Sequence, residues 1–111
     1  MFEDDVVRIR HILDAAREAV AFSKGRIRAD LNTDRKLNLS LVRLLEIIGE
    51  AAMAISPQFR QKYSGLPWKN MIGMRDRLIH GYFDVNLDVV WETVTHDLPS
   101  LIAQLEKTLS L

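Results

Sequence analysis

The sequence contains no cysteine, which excludes disulfide bonds and thiolate chemistry. It has no apolar run long enough to cross a membrane and no basic, apolar leader, so we expect a cytoplasmic protein without a membrane-bound part. Its five glycines are scattered rather than gathered in a phosphate-cradling loop. Its three histidines lack the paired spacing of zinc ligands. We therefore expect neither a metal nor a cofactor.

Charge is balanced over the whole chain but not along it. The 15 basic and 15 acidic side chains give a net charge of zero, which argues against a general nucleic-acid coat. Residues 23–82, however, contain eleven basic and five acidic side chains, and the segments on either side are net negative. A basic middle segment suits contact with nucleic-acid phosphates, and a set of solvated helix faces is the structural alternative.

Apolar residues recur every three or four positions through almost the whole chain, which is the spacing of amphipathic helices. Two long helices are predicted, the first from about Glu3 to Ser23 and the second from a cap at Thr33 to about Ile55. A single helical turn between Arg26 and Asp30 is expected to connect them.

The second half predicts a short helix from Gln58 to Tyr63, a motif helix opened by Pro67, and a last helix that begins at Asn86. Pro99 should kink this last helix or split it in two. No stretch alternates polar and apolar residues for long enough to predict a strand. The 111 residues are 48% hydrophobic, which is enough for a core. We expect a single domain over 1–111, an all-α bundle of four principal helices with one or two short helices.

Arg75 occupies a position where packing alone would favour leucine or isoleucine. A helix that begins at Pro67 would carry an apolar stripe with Arg75 in its middle. The stripe consists of Trp68, Met71, Ile72 and Ile79. A cation at such a position must meet a carboxylate, a partner chain or an anionic ligand. An ion pair with Glu46 or Glu50 explains it as well as a catalytic role does.

His80 follows Arg75 by five residues, at the point where Gly81 is expected to end the helix in the left-handed conformation. Both side chains could then approach one phosphate over the helix end. Asp76 precedes His80 by four residues, so on a continuous helix its carboxylate could hydrogen-bond the imidazole and raise its basicity. A histidine at a helix end is more often only a favourable charge against the helix dipole, so both roles stay open.

Several short segments resemble those of the HEPN superfamily, specifically the HepT-like toxins that pair with MntA-type minimal nucleotidyltransferases. The signature is an arginine, a polar residue, three further residues, a histidine, one residue and a tyrosine, and residues 75–82 match it. The matching segments are Ile48-Gly49-Glu50-Ala51, Leu66-Pro67-Trp68, Gly73-Met74-Arg75, Ile79-His80-Gly81-Tyr82-Phe83 and Asp97-Leu98-Pro99.

The resemblance implies a HEPN-like bundle with ribonuclease activity. Arg75 and His80 would form the catalytic pair, and Asp76 would be the polar residue that supports them. Tyr82 would carry the hydroxyl that the partner nucleotidyltransferase modifies with AMP to silence the toxin. Asparagine is at least as familiar as aspartate at position 76, and the segment 33–39 fits the family less well.

We therefore expect a metal-independent RNA endonuclease, the toxin of a toxin–antitoxin pair, that uses the ribose 2′-hydroxyl of its substrate. Because one motif supplies one histidine, a second acid/base group is expected from another subunit of a homodimer. The alternative is a non-catalytic subunit that docks on a nucleotidyltransferase and presents its substrate, and a third is a structural dimerisation module. His80 favours the enzyme, since a binding subunit needs no imidazole there.

Overall fold

The computed structural model describes residues 2–81 and 83–109, without the side chain of Ile79. These residues form an all-α bundle with one very small sheet, as the sequence predicts. In chain order the elements are α1 (Glu3–Ser23), α2 (Asp30–Thr33), α3 (Arg35–Ala54), α4 (Pro57–Lys62), α5 (Trp68–Ile72), α6 (Met74–Leu78), β1 (Ile79–Gly81), β2 (Asp84–Val85), α7 (Leu87–Glu92), a π-helical segment (Thr93–Asp97) and α8 (Leu98–Thr108).

The core lies around α1, which packs against α3 on one side and against α8 on another. All three helices repeat apolar residues every three or four positions, so each buries one face. The fully buried side chains include Ile9, Ile12, Leu41, Leu45, Ile48, Leu98 and Leu105. The first helix has its predicted bounds, and the acidic residues of its first turn suit the positive end of its dipole.

The cap of α3 is Asp34 rather than the predicted Thr33. Oδ1 of Asp34 accepts a hydrogen bond from the Leu37 amide at 3.1 Å. Arg26 donates to Asp30 at 3.2 Å and to Asp34 at 2.7 Å, and this second hydrogen bond holds the pKa of Asp34 below its ordinary value. The helical turn predicted between Arg26 and Asp30 therefore lies later, because Asp30 is held by Arg26 at the start of α2.

A buried carboxylate ties the start of α1 to the turn between α3 and α4. Asp5 accepts hydrogen bonds from the Ser56 amide at 2.9 Å and from the Ser56 hydroxyl at 2.6 Å. Burial raises the pKa of Asp5, but the two hydrogen bonds and the charges of Arg8 and Arg60 outweigh it, so the pKa is lowered. Ser56 also caps α4, since its hydroxyl oxygen accepts from the Phe59 amide at 3.2 Å.

The predicted motif helix is divided at Gly73 into α5 and α6. The Gly73 amide donates to the Lys69 carbonyl at 2.9 Å, which closes α5 before α6 begins. The buried face of the divided helix consists of Met71, Met74 and Leu78. This face differs from the predicted stripe: Met71, Met74 and Leu78 recur at three and four residues and are buried, whereas Trp68 and Ile72 are only partly buried.

The prediction that Gly81 ends a helix in the left-handed conformation is wrong. α6 ends at Leu78, and Gly81 lies in β1, where it pairs with Asp84 of the antiparallel strand β2. The glycine with a positive φ is Gly25, at 71°, just after α1. The amide of Asn86 donates to the Leu78 carbonyl at 2.8 Å and closes the hairpin. Alternation could not reveal a strand of three residues, so the expectation of no strand is wrong as well.

The last helix consists of α7, the π-helical segment and α8, and its N-cap is Asn86, as predicted. Oδ1 of Asn86 accepts a hydrogen bond from the Val89 amide at 3.2 Å. The predicted break at Pro99 takes the form of a π-helical segment immediately before α8. Pro99 has no N–H to offer the carbonyl four residues earlier, so the wider turn falls where that hydrogen bond is missing. Within residues 2–81 and 83–109, no helix combines the length and apolar character needed to cross a membrane.

Candidate active site at the junction of α6 and β1

Arg75 lies at the surface, next to α3, and its side chain is 52% exposed. The prediction that it sits in the middle of an apolar stripe is therefore wrong, since Met74 and Leu78 take the buried positions of α6. Nε of Arg75 lies 4.0 Å from Oε2 of Glu46. The ion pair with Glu46 is thus present, but as a long contact in a half-exposed place, where such pairs contribute little to stability.

The backbone of Arg75 is held close to α3 by Gly49, which is buried. A Cβ atom at position 49 would lie 3.5 Å from Cβ of Arg75 and 3.5 Å from the Met71 carbonyl oxygen. These are ordinary van der Waals distances, so the two helices pack closely at Gly49. A cavity of about 170 Å³ opens beside this contact, and Arg75 and Asp76 line one wall of it.

Charges of alternating sign surround the arginine. Nη1 of Arg43 lies 3.6 Å from Oε2 of Glu46 and 3.5 Å from Oε1 of Glu50. On the other side, Nη1 of Arg75 lies 3.9 Å from Oδ1 of Asp76. All of these contacts are long, and Glu46 is shared between two cations. The guanidinium of Arg75 is therefore kept near the surface without being locked, and it can turn towards an anionic ligand.

Asp76 does not support His80 in the way the spacing suggests. Its side chain is 77% exposed, and its nearest ionic neighbour is Arg75. The two residues four apart would share a face only on a continuous helix, and α6 ends at Leu78, between them. Within the described part of the chain, no hydrogen bond or ion pair joins Asp76 to His80. The predicted carboxylate–imidazole contact is wrong in this structure.

His80 lies in the middle of β1 and is exposed to solvent. α6 continues for three residues after Arg75 and β1 adds two, so the Cα atoms of Arg75 and His80 are at most about 12 Å apart. Two side chains of this length can converge on one phosphate group between them. Tyr82, the predicted site of AMP modification, lies outside the described residues.

Phe83 is an aromatic side chain of this region to which the sequence analysis gave no role. It lies in the turn between β1 and β2 and is 81% exposed. A Cβ atom at Gly81 would lie 3.8 Å from Cε1 of Phe83, so the ring stands against the residue that follows His80. Large apolar side chains are usually buried, and this exposure is the signal that the sequence alone could not supply.

Arg77 and His96 contrast with the two predicted catalytic residues. Nη2 of Arg77 donates to the Asn70 carbonyl at 3.2 Å, and Nε donates to the Gly73 carbonyl at 3.4 Å, so its guanidinium is directed back along the helix. His96 is exposed on the π-helical segment, 3.7 Å from Glu92. In residues 2–81 and 83–109, no group of three or more His, Cys, Asp or Glu side chains is placed to hold a metal ion.

The fold and site together define a class of protein: an all-α HEPN-like bundle that exposes an arginine and a histidine where a short helix meets a hairpin. Comparison with known families gives the assignment. Residues 12–108 match the family model "Ribonuclease HepT-like", and the chain belongs to this family of HEPN-type endoribonucleases. The family assignment favours the enzyme over a non-catalytic binding subunit or a structural module.

Individual proteins of similar sequence have ribonuclease names, in agreement with the family assignment. The chain is 42% identical over 101 residues to a protein of Caldanaerobacter subterraneus subsp. tengcongensis named "Putative RNase", covering 91% of this chain and 90% of that protein. It is 45% identical over 78 residues to the "Probable ribonuclease HepT" of Thermococcus cleftensis, covering 70% and 71%. It is also 35% identical over 95 residues to a "Putative RNase" of Methanocaldococcus jannaschii, covering 86% and 87%. No solved structure matches the chain significantly.

Proposed function

We propose that this protein is a metal-independent RNA endonuclease, the toxin of a toxin–antitoxin pair, and that Arg75 and His80 carry its chemistry. The observation that supports this most is their placement: both side chains are exposed and lie five residues apart across the junction of α6 and β1. The chain belongs to a ribonuclease family, and an exposed cation and an exposed imidazole on one short stretch of chain suit phosphate cleavage.

The proposed reaction uses the RNA itself as the nucleophile. The 2′-oxygen attacks the adjacent phosphorus while its proton passes to a base, and the P–O5′ bond breaks as the leaving 5′-oxygen takes up a proton. The products are a 2′,3′-cyclic phosphate and a 5′-hydroxyl. His80 transfers a proton, and Arg75 stabilises the negative charge that builds up on the phosphoryl oxygens.

Asp76 supports this reaction through the arginine rather than through the histidine. Its carboxylate lies 3.9 Å from Arg75, and Glu46 lies 4.0 Å from the same guanidinium on the other side. Two weak carboxylate contacts keep the cation at the surface near the junction. A substrate phosphate, which approaches with its own charge, can displace both because neither is short or buried.

The substrate provides the sharpest test of this function. Purified protein should cleave single-stranded RNA in the presence of a chelator, and an oligonucleotide with a 2′-deoxyribose at the mapped cleavage site should stay intact. Mass analysis should find the cyclic phosphate and the 5′-hydroxyl. Equal cleavage of the deoxy-substituted strand, or products with a 5′-phosphate, would overturn the proposed chemistry.

We further propose that the active form is a homodimer. Each chain carries one His80, whereas the reaction needs one group that acts as a base and another that acts as an acid. A second copy with its motif across a shared groove would supply the other group. Sedimentation should show a dimer at micromolar concentration, and mixing wild-type chains with an excess of His80→Ala chains should suppress cleavage, because the shared groove of each mixed dimer then holds a single His80. A monomer that cleaves RNA at full rate contradicts the dimer.

The proposed regulation is the transfer of AMP from ATP to Tyr82 by a partner nucleotidyltransferase: the tyrosine oxygen attacks the α-phosphorus of ATP and pyrophosphate leaves. Tyr82 follows His80 by two residues in the sequence. A bulky anion there would compete with the substrate phosphate for Arg75. Incubation with the cognate nucleotidyltransferase, ATP and magnesium should add one AMP to Tyr82 and inhibit cleavage, and Tyr82→Phe should stay unmodified and active. Full activity after complete modification would remove this regulation and leave the chemistry intact.

A further inference from the structure

A groove of about 530 Å³ runs between the start of α3 and the β1–β2 hairpin. Phe83 and Val85 form its hairpin side, and Leu31 and Leu39 contribute apolar surface from the helical side. Leu31 is buried, whereas Leu39 and Phe83 are exposed. The groove is therefore apolar at its floor, with an aromatic ring at one edge, and it is large enough for a nucleotide-sized ligand.

The polar groups of this groove can bind an anion. Arg35 lies at its rim, and within the described part of the chain the Arg35 guanidinium has no hydrogen bond or ion pair. Two arginines that precede it in the sequence are paired with carboxylates: Arg26 lies 2.7 Å from Asp34, and Arg28 lies 2.7 Å from Asp88. An arginine that stays unpaired among paired ones is available to a ligand, and its planar fork suits a phosphate.

Amide side chains provide hydrogen-bonding capacity next to this arginine. Asn32 and Asn38 both line the groove. Oδ1 of Asn32 accepts from Arg28 at 2.7 Å, which leaves its NH₂ group as a donor. Nδ2 of Asn38 donates to the Leu31 carbonyl at 2.9 Å, which leaves its carbonyl oxygen as an acceptor. A donor, an acceptor, an aromatic face and a cation are the groups that bind an unpaired nucleotide.

The groove adjoins the proposed catalytic junction. Phe83 follows His80 by three residues, and its ring stands against Gly81. We propose that the groove binds an unpaired nucleobase of the RNA strand close to the scissile bond, stacked on Phe83, while Arg35 holds a neighbouring phosphate. This inference rests on the proposed ribonuclease function and adds a base-binding subsite to it, because a base that is paired in a duplex cannot stack there.

The test is steady-state cleavage of a fluorescent single-stranded oligoribonucleotide by four variants. Phe83→Ala should raise KM about tenfold or more and leave kcat within about threefold, because base stacking contributes to substrate binding. Phe83→Trp should restore KM, and its fluorescence should be quenched by the oligonucleotide. Arg35→Ala should raise KM less at high salt than at low salt. Phe22→Ala, which removes another exposed phenylalanine, on α1, should change nothing.

The outcomes separate this inference from the function on which it rests. Wild-type protein that does not cleave RNA would overturn the proposed function, and an unquenched Phe83→Trp would overturn the groove as a base site. Wild-type cleavage with an unchanged KM in Phe83→Ala would overturn the inference alone. Loss of nucleotidyltransferase binding by Phe83→Ala, with KM unchanged, would likewise overturn it, since the groove would then be a protein interface.

Discussion

In the α1–α3 pair, side chains such as Ile12, Leu45 and Ile48 are fully buried, whereas at the junction of α6 and β1 the chain exposes Arg75 and His80. The pair consists of helices of 21 and 20 residues. The junction consists of a five-residue helix and a three-residue strand. Stability is thus concentrated in long helices with apolar contacts, and the proposed chemistry in short elements with loose polar contacts.

This difference has a consequence for mutagenesis. Burial of a leucine removes apolar surface from water and fills a close-packed space, so replacing that leucine by a smaller residue destabilises the whole fold. The two ion pairs of Arg75 are at least 3.9 Å long and its side chain is half exposed, so their loss should affect the binding of a ligand more than the stability of the fold. Substitutions in the two regions should therefore separate stability from activity.

The largest effect on stability is expected from Leu45→Ala in α3. Leu45 is fully buried, and the cavity left behind should lower the free energy of unfolding by about 2–5 kcal/mol. Leu39→Ala on the same helix is the matched control, because Leu39 is 52% exposed and should lose less than about 1 kcal/mol. Urea unfolding measures both, and equal losses would break the distinction between the core and the surface.

A smaller effect is expected from Ser56→Ala, which removes one donor to Asp5 and the cap of α4. The free energy of unfolding at neutral pH should fall by about 1–2 kcal/mol. The pKa of Asp5 is lowered in the fold, so its contribution is complete above the unfolded-state pKa of about 3.9 and is lost as the pH falls through the folded value. Urea unfolding from pH 7 to pH 3 should therefore show the wild type approaching the variant in acid. A constant difference would contradict the role of Asp5.

The smallest effect on stability is expected at the junction itself. Arg75→Ala and His80→Ala should each change the free energy of unfolding by less than about 0.5–1 kcal/mol, because both side chains are exposed. Circular dichroism and thermal unfolding measure this. A loss as large as that of Leu45→Ala would show that the junction supports the fold, and the separation between the two regions would fail.

Much of the fold follows from local sequence. The bounds of α1 and the start of the last helix could be predicted, because apolar spacing and an Asn cap determine helix formation through residues that are close in sequence. The cap of α3 was predicted one residue early, because Thr33 and Asp34 are both good caps. The choice depends on Arg26, which approaches Asp34 from eight residues away.

The sequence proposes the residues of the candidate site but does not encode their geometry. The break at Gly73 and the hairpin that follows Leu78 depend on backbone pairing across a turn, which helical spacing does not encode. The end of α6 at Leu78 separates Asp76 from His80, and Arg75 lies at the surface because Met74 and Leu78 take the buried positions of α6. The roles of Arg75 and His80 stay predictions, and the structure contributes their exposure and their neighbours.

The most direct test of the separation between fold and chemistry is RNA cleavage by matched pairs of variants. His80→Ala is compared with His96→Ala, and Arg75→Ala with Arg77→Ala. Thermal unfolding is measured first, to establish that all four variants keep the unfolding temperature of the wild type. We expect the first member of each pair to lose about a hundredfold or more in kcat/KM, the loss typical of a missing acid/base group, and its control to stay within about threefold of the wild type. Wild-type cleavage by folded His80→Ala, or equal losses within each pair, would contradict the assignment of the chemistry to the junction of α6 and β1.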